Sequence, residues 1–159
     1  YGLDISKEAV RFASAKYKKY NFAVGSCFNM PVQSDMFDLA INIFAPMVES
    51  ETARVLKNGG YLIYAVPGKN HLMGLKELLY ENVYENEEKH TEYTGFEFVE
   101  RHTVKNEITV DGEMVVNLFK MTPYYSKQNL VQKIKFVKIM GLQQKFILIF
   151  LFTERYNMC

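Results

Sequence analysis

The chain has 159 residues, 48% of them apolar and 23% charged, with a net charge of +1. It is long enough for one domain with a real core and too apolar for a disordered segment. The near-neutral balance gives no global electrostatic case for a nucleic-acid partner. Two cysteines, Cys27 and Cys159, with no C-x-x-C pair exclude a disulfide framework and any self-evident zinc site within the chain.

The chain begins on Tyr1 with a strand that has no lead-in, so it reads as a fragment whose N-terminal part lies upstream. Tyr1 to Ile5 is the first strand, and it ends in the carboxylate Asp4. Ser6 is a good N-cap for a helix over Lys7 to Tyr17, where Ala9, Val10, Ala13 and Tyr17 form an apolar stripe. Asn21 to Val24 reads as a second short strand, closed by Gly25-Ser26, and Met30 to Asp35 as a loop. Phe37 to Phe44 is a third strand, ended by Pro46. Val48 to Leu56 is a helix that runs into Asn58-Gly59-Gly60 and then the apolar run Tyr61 to Val66. That pattern predicts a helix, a left-handed glycine stop and a buried strand. Pro67-Gly68 breaks this strand. His71 to Val83 reads as a long helix, Glu81 to Glu92 as a solvated acidic stretch, Phe96 to Val110 as one or two strands, and Glu113 to Met121 as a short helix. The alternation predicts an α/β fold with a parallel sheet and helices on both faces. The longest apolar run, Phe146 to Phe152, is too short to span a bilayer as a helix. No secretory signal is visible, and a cytoplasmic setting without a membrane partner is expected.

Several residues have chemistry to offer. Asp4 lies at the carboxyl end of its strand, where ligands bind in open parallel sheets, and a carboxylate there can accept both hydroxyls of a ribose. Set against the bland reading as a helix cap, the ribose role is favoured because of the Gly59-Gly60 signal and the strand order. Ser26 and Cys27 either flank an adenine edge or simply form a turn. Cys27 lacks a neighbouring base and reads as a small packed residue rather than a nucleophile. Phe44-Ala45-Pro46 would stand beside a sulfonium, whose charge an aromatic face can contact; core packing is the competing reading for Phe44. His71 falls at a helix start, where anionic ligands are favoured. Tyr124 and Tyr125, behind Met121-Thr122-Pro123, could stack on a splayed base or close a helix as packed tyrosines. His90 and His102 show no partner pattern.

Gly2-Leu3-Asp4-Ile5-Ser6-Lys7, Ile43 to Pro46, Ala53 to Gly60, Pro67 to Leu72 and Met121-Thr122-Pro123 together resemble the 23S ribosomal RNA guanine-N1 methyltransferases. These are class I S-adenosylmethionine-dependent methyltransferases. The Ala-Arg-Val-Leu-Lys-x-Gly-Gly piece is shared across that class. The Ala-Pro, Pro-Gly-x-x-His-Leu and Met-Thr-Pro runs are more particular to the family. The resemblance covers roughly residues 1 to 125. It implies a Rossmann-like fold and methyl transfer from S-adenosylmethionine to N1 of a guanine in a 23S rRNA hairpin. It further implies that Asp4, with Ile5, holds the ribose, that Ser26 and Cys27 lie near the adenine, and that Phe44 and His71 contact the cofactor. Pro46, Tyr124 and Tyr125 would face the substrate. Guanine N1 carries a proton at neutral pH, so a base or water must remove it as the methyl moves in line. No residue is assigned to that role.

Two departures from the family pattern stand out. The family's zinc-binding cysteine module, its first strand and its Gly-x-Gly-x-Gly loop would all lie before Tyr1. The chain is therefore expected to carry an incomplete sheet, to involve zinc only through the absent module, and to bind the cofactor weakly by itself. The second departure is the tail. Residues 126–159 form an atypical segment after a partial methyltransferase domain at 1–125. Plausible codons for 143–157, read one frame over, resemble the family's last strand, which suggests a frameshift after Tyr125. On that view Phe146 to Phe152 is an exposed, aggregation-prone run. A small-molecule or protein acceptor on the same fold, or a non-catalytic fragment, are the alternatives.

Overall fold

The computed structural model describes residues 1–110, 112–122 and 142–156. Ten elements follow in order: β1 (Gly2–Asp4), α1 (Lys7–Lys16), β2 (Phe22–Val24), β3 (Phe37–Ile43), α2 (Glu49–Val55), β4 (Leu56–Pro67), α3 (Met73–Leu79), β5 (Phe96–Val110), α4 (Gly112–Lys120) and β6 (Leu142–Arg155). The described residues divide into two compact units. One holds residues 1–65, 90–101 and 151–156, the other 66–89, 102–110, 112–122 and 142–150. No helix among the described residues is long and apolar enough to cross a membrane.

The mixed α/β architecture expected from the alternation is present, but the sheet comes in two pieces. β1 and β2 form a parallel pair in register Gly2↔Phe22 to Asp4↔Val24. The second sheet has the order β3-β4-β6-β5. β3 and β4 are parallel, with Leu39↔Tyr61 through Ile43↔Ala65 as partners. Parallel pairing puts the carboxyl ends of β1 and β2 at one edge, and those of β3 and β4 at one edge.

The predicted starts and stops are largely present. Ser6 caps α1, its hydroxyl accepting from the Ala9 N–H at 3.2 Å. Glu8 in the first turn and Lys16 in the last complement the helix dipole. The exit from α2 differs from expectation. The helix ends at Val55, and Leu56 is already extended at φ −81°, ψ 144°. The left-handed residue is Gly59, at φ +76°, inside β4 rather than at a helix stop. Between the pairs Phe37↔Leu56 and Leu39↔Tyr61 the strand carries extra residues and bulges outward. A side chain at Gly60 would meet the Lys57 carbonyl at 2.9 Å and the Asp38 carbonyl at 3.2 Å, so backbone crowding requires glycine there.

Arg54 joins this region to the loop before β3. Its guanidinium donates to both Glu51 oxygens at 2.7 and 2.8 Å, to the Val32 carbonyl at 2.8 Å and to the Met30 carbonyl at 3.0 Å. Glu51 in turn accepts from the Met30 N–H at 2.6 Å. A planar fork satisfied on all sides can hold a loop in a way that a lysine could not.

Two further corrections concern the second half. The predicted long helix from His71 to Val83 is only Met73–Leu79, because Leu72 adopts φ +56° ahead of it and Tyr80 is extended after it. Of the run Phe146 to Phe152 expected to be exposed, the side chains described, from Phe150 on, are covered. Leu151 and Thr153 are fully buried in β6, and Phe150 and Phe152 are partly buried. Arg155 reaches back to the Leu56 carbonyl and to Asp35. In the second unit Leu72, Leu75 and Phe119 form a small core, with Val110 and Val115 in a second cluster.

The Arg54 fork, followed by the Met30 N–H, holds the Glu51 carboxyl down to about 2 from its usual 4.5. A depressed folded-state value stabilises the fold above the unfolded value, and this stability disappears as pH falls through the folded one. Acid denaturation should therefore show a loss of about 2 kcal/mol between pH 4.5 and 2, after discounting for solvent screening. In Glu51→Gln that segment should flatten, as read by chemical denaturation at a series of pH values.

Candidate functional site

Within the first unit, the loops at the carboxyl ends of β1, β2 and β3 carry most of the residues singled out above. Asp4 is exposed at the end of β1, and its Oδ1 accepts from the Ser6 N–H at 2.7 Å. The cap reading of Asp4 is thus present in the geometry; Oδ2 has no partner among the described residues. Ile5 is 79% exposed just beyond it. On the neighbouring strand the Gly25 N–H donates to the Asp4 carbonyl at 3.1 Å. This bond places Ser26 and Cys27 at the same sheet edge as Asp4. The Ser26 hydroxyl accepts from the Phe28 N–H at 3.2 Å and so shapes the turn. A Cβ at Gly25 would come within 2.7 Å of a terminal methyl of Leu3 and 3.0 Å of the Pro31 ring, so the turn packs closely on both.

The turn after β3 is built more tightly. Phe44 sits in left-handed backbone at φ +60°, uncommon for an aromatic residue, and its ring is half-exposed. Four bonds hold the turn. The Phe44 N–H donates to the Ala65 carbonyl at 3.1 Å. Asn42 Oδ1 accepts from the Ala45 N–H at 3.1 Å, and Asn42 Nδ2 donates to the Pro46 carbonyl at 3.3 Å. The buried Tyr64 hydroxyl donates to the Ala45 carbonyl at 3.3 Å. Burial, and then the nearby Cys27 thiol, raise the Tyr64 hydroxyl above its ordinary value. Tyr93 packs edge-on against Tyr64 at 5.9 Å, and burial first of all pushes its hydroxyl up to about 12.

His71 belongs to the other unit. It is buried in a turn before α3 rather than in the first turn of a long helix, its N–H donating to the Gly68 carbonyl at 3.0 Å. Asn86 organises that turn. Its N–H donates to the Lys69 carbonyl at 2.9 Å, and its Nδ2 to the carbonyls of Gly68 and His71 at 2.8 and 3.3 Å. Lys76, also buried, donates to Asn86 Oδ1 at 2.7 Å and to the Tyr84 carbonyl at 2.9 Å, and burial lowers its ammonium below the ordinary range. Tyr124 and Tyr125 lie outside the described residues.

A cavity of about 620 Å³ opens beside Met47, Glu49, Ala53, Gly95 and Tyr156. None of the predicted site residues lines it. Among the described residues no group of three or more His, Cys, Asp or Glu side chains could hold a metal ion. Sequence reasoning missed Asn42, Tyr64 and Asn86. Asn42 alone left a signal, as a polar break in the apolar run of β3.

Removing the Asn42 side chain unlocks a strained turn. Asn42→Ala should cost about 1–2 kcal/mol in denaturant unfolding. Asn42→Asp, which keeps the acceptor for Ala45 and loses the donor to Pro46, should fall between Asn42→Ala and the unsubstituted protein.

Comparison with known proteins places this geometry. Residues 1–64 match the family model described as a methyltransferase domain. A Bacillus subtilis (strain 168) protein, YxjB, that bears the name of a 23S rRNA (guanine-N1)-methyltransferase is 31% identical over 132 residues, 77% of this chain and 45% of that protein. A 23S rRNA (guanine(748)-N1)-methyltransferase of Streptomyces fradiae is 35% identical over 78 residues, 48% of this chain and 28% of that enzyme. The chain thus spans less than half the length of each. Among solved structures, a SAM-dependent methyltransferase from Methanosarcina mazei superposes with a TM-score of 0.56 at 15% identity, covering 99% of this chain and 82% of that one. The YcgJ protein of Bacillus subtilis gives 0.56 at 14% identity, with the same coverage. The chain has the Rossmann-like fold of the class I S-adenosylmethionine-dependent methyltransferases, carries their methyltransferase domain at residues 1–64, and is related to the 23S rRNA guanine-N1 methyltransferases among them.

Proposed function

We propose that this chain is the cofactor-binding part of a methyltransferase that moves a methyl group from S-adenosylmethionine to N1 of a guanine in 23S rRNA. One observation carries the cofactor assignment: Asp4, Ser26, Cys27 and Phe44 all stand at carboxyl ends of parallel strands, where open α/β sheets bind their ligands. The residue chemistry fits the nucleoside half of the cofactor. A carboxylate accepts from vicinal hydroxyls, and Asp4 keeps Oδ2 for them after Oδ1 is taken by Ser6. Ser26 and Cys27, on the adjoining strand, are in place for the base. The half-exposed ring of Phe44 offers a π face to a sulfonium. Ile5 extends the Asp4 edge.

Cofactor contact by His71, and substrate contact by Pro46, Tyr124 and Tyr125, are assigned from the family resemblance. When bound, the cofactor supplies an electrophilic methyl group. The protein's task is to orient the guanine in line with it while the N1 proton departs. The acceptor reading, a 23S rRNA hairpin, is supported by the two relatives, and a ribosomal substrate implies a cytoplasmic site of action.

Calorimetric titration tests the cofactor half. Asp4→Asn keeps an acceptor for the Ser6 N–H and removes the charge, so S-adenosylmethionine should bind about tenfold more weakly with the melting midpoint unchanged. Unchanged affinity would remove Asp4 from the site. For the acceptor half, 23S rRNA incubated with the protein and the methyl donor should stop primer extension at a single guanine, because a methyl at N1 blocks base pairing. Label transferred without such a stop would contradict the N1 assignment.

A further inference from the structure

The net charge of the chain hides a local asymmetry. Between Lys7 and Tyr20 five basic residues stand against one acid, Glu8, in a chain whose total is +1, so the remainder is net acidic. Helix α1 buries little. Val10, Ala13 and Ser14 are partly covered, whereas Glu8, Arg11, Phe12, Ala15 and Lys16 share the opposite face at helical spacing and are exposed. Phe12 is 64% exposed there. The chain then turns through Tyr17, Lys18, Lys19 and Tyr20, all exposed, with the Tyr20 N–H donating to the Tyr17 carbonyl at 3.1 Å.

Cations and rings interleave on this surface. The Arg11 guanidinium lies over the Phe12 ring, 4.5 Å from its centre, while also pairing with Glu8 at 2.7 Å. The Lys16 ammonium lies 5.2 Å from the centre of the Tyr17 ring. Phe12 and Tyr20 gain little from packing, and leaving large aromatic area in water is unfavourable. A surface that alternates exposed rings with cations combines the two attractions a flexible polyanion of aromatic units answers, base stacking and phosphate neutralisation.

We propose that the outer face of α1 and the Lys16–Tyr20 turn bind single-stranded RNA, through phosphate contacts from Arg11, Lys16, Lys18 and Lys19 and base stacking on Phe12 and Tyr20. The inference deepens the rRNA reading and rests on it for the identity of the RNA. Charge complementarity selects the occupant. An interfacial membrane helix needs a broad apolar face, and here that face holds only Phe12 and Ala15. A protein interface is depleted of lysine at its core, and here three lysines, Lys16, Lys18 and Lys19, stand exposed among Phe12, Tyr17 and Tyr20. α1 starts one turn beyond Asp4 and runs about 15 Å from it, so this surface would hold nucleotides flanking the target rather than the target guanine.

The test is fluorescence anisotropy of a labelled 12-nucleotide single-stranded RNA, titrated with the chain at several salt concentrations. Binding of a same-length RNA duplex and of phosphatidylcholine/phosphatidylserine vesicles is measured alongside. Phe12→Ala/Tyr20→Ala should weaken binding at least tenfold. Lys16→Gln/Lys18→Gln/Lys19→Gln should reduce the slope of log affinity against log salt by about 2, at ~0.7 for each phosphate no longer neutralised. Phe12→Tyr and Lys→Arg versions should restore binding. All these side chains are exposed, so unchanged melting and unchanged S-adenosylmethionine affinity confirm that fold and cofactor site are intact. If the RNA binds but the variants match the unsubstituted chain in affinity and slope, the surface assignment is overturned while the rRNA reading stands. Absence of RNA binding even at low salt, or preference for vesicles or duplex, overturns it as well. Variants that lose RNA binding in a protein that still methylates a different acceptor would uphold the surface and refute the rRNA reading.

Discussion

The guanidinium of Arg54 is the constraint on which the candidate site depends most. It gathers Glu51, the Met30 and Val32 carbonyls and, through the backbone of its own residue, the Asp35 N–H at 2.8 Å. These bonds fix where the loop ends and β3 begins. Once Phe37 is set beside Leu56, the bulge at Lys57 to Gly60 absorbs the extra residues, and the register runs unbroken to Ile43↔Ala65. The turn carrying Phe44 to Pro46 is therefore placed from its far end, one strand length away. Arg155, on the last strand, adds a second tie by reaching the Leu56 carbonyl and Asp35.

At the near end the backbone is held against its own preference. Phe44 adopts a conformation costing about 1–3 kcal/mol for a residue with a side chain. Asn42, Tyr64 and the Ala65 carbonyl over-determine the turn and so sustain it. Strain held in this way at a strand end presents the Phe44 ring outward instead of packing it. The Pro67–His71 turn follows the same logic with other parts: Asn86 satisfies the carbonyls of Gly68, Lys69 and His71, and Lys76 in α3 holds Asn86 by its Oδ1.

Much of this was legible in the residue order. Ser6 read as a cap and is one. The apolar runs 21–24, 37–44 and 61–66 read as strands, and the chain forms strands at Phe22–Val24, Phe37–Ile43 and Leu56–Pro67. What the sequence misplaced shares a physical cause: long-range bonds override local signals. Gly59-Gly60 looks like a helix stop, yet the helix has already ended at Val55, because the sheet takes over from Leu56 and uses the glycines for a bulge. His71 to Val83 has the spacing of a long helix, but Lys76 and Asn86 bond across the segment and end it at Leu79. Phe146 to Phe152 read as an exposed, aggregation-prone run in an atypical tail, whereas residues 142–155 form β6 between β4 and β5, with Leu151 buried. Asn42, Tyr64 and Asn86 matter through partners far along the chain, which no local pattern announces.

The most direct measurement is an amide-resolved NMR titration of the chain with S-adenosylhomocysteine, the demethylated cofactor. The account predicts that shifts concentrate on Asp4, Ile5, Ser26, Cys27 and Phe44, with Ala45 following through its bond to Asn42. Shifts confined to the cavity around Met47, Ala53 and Gly95, with the strand-end residues silent, would contradict it.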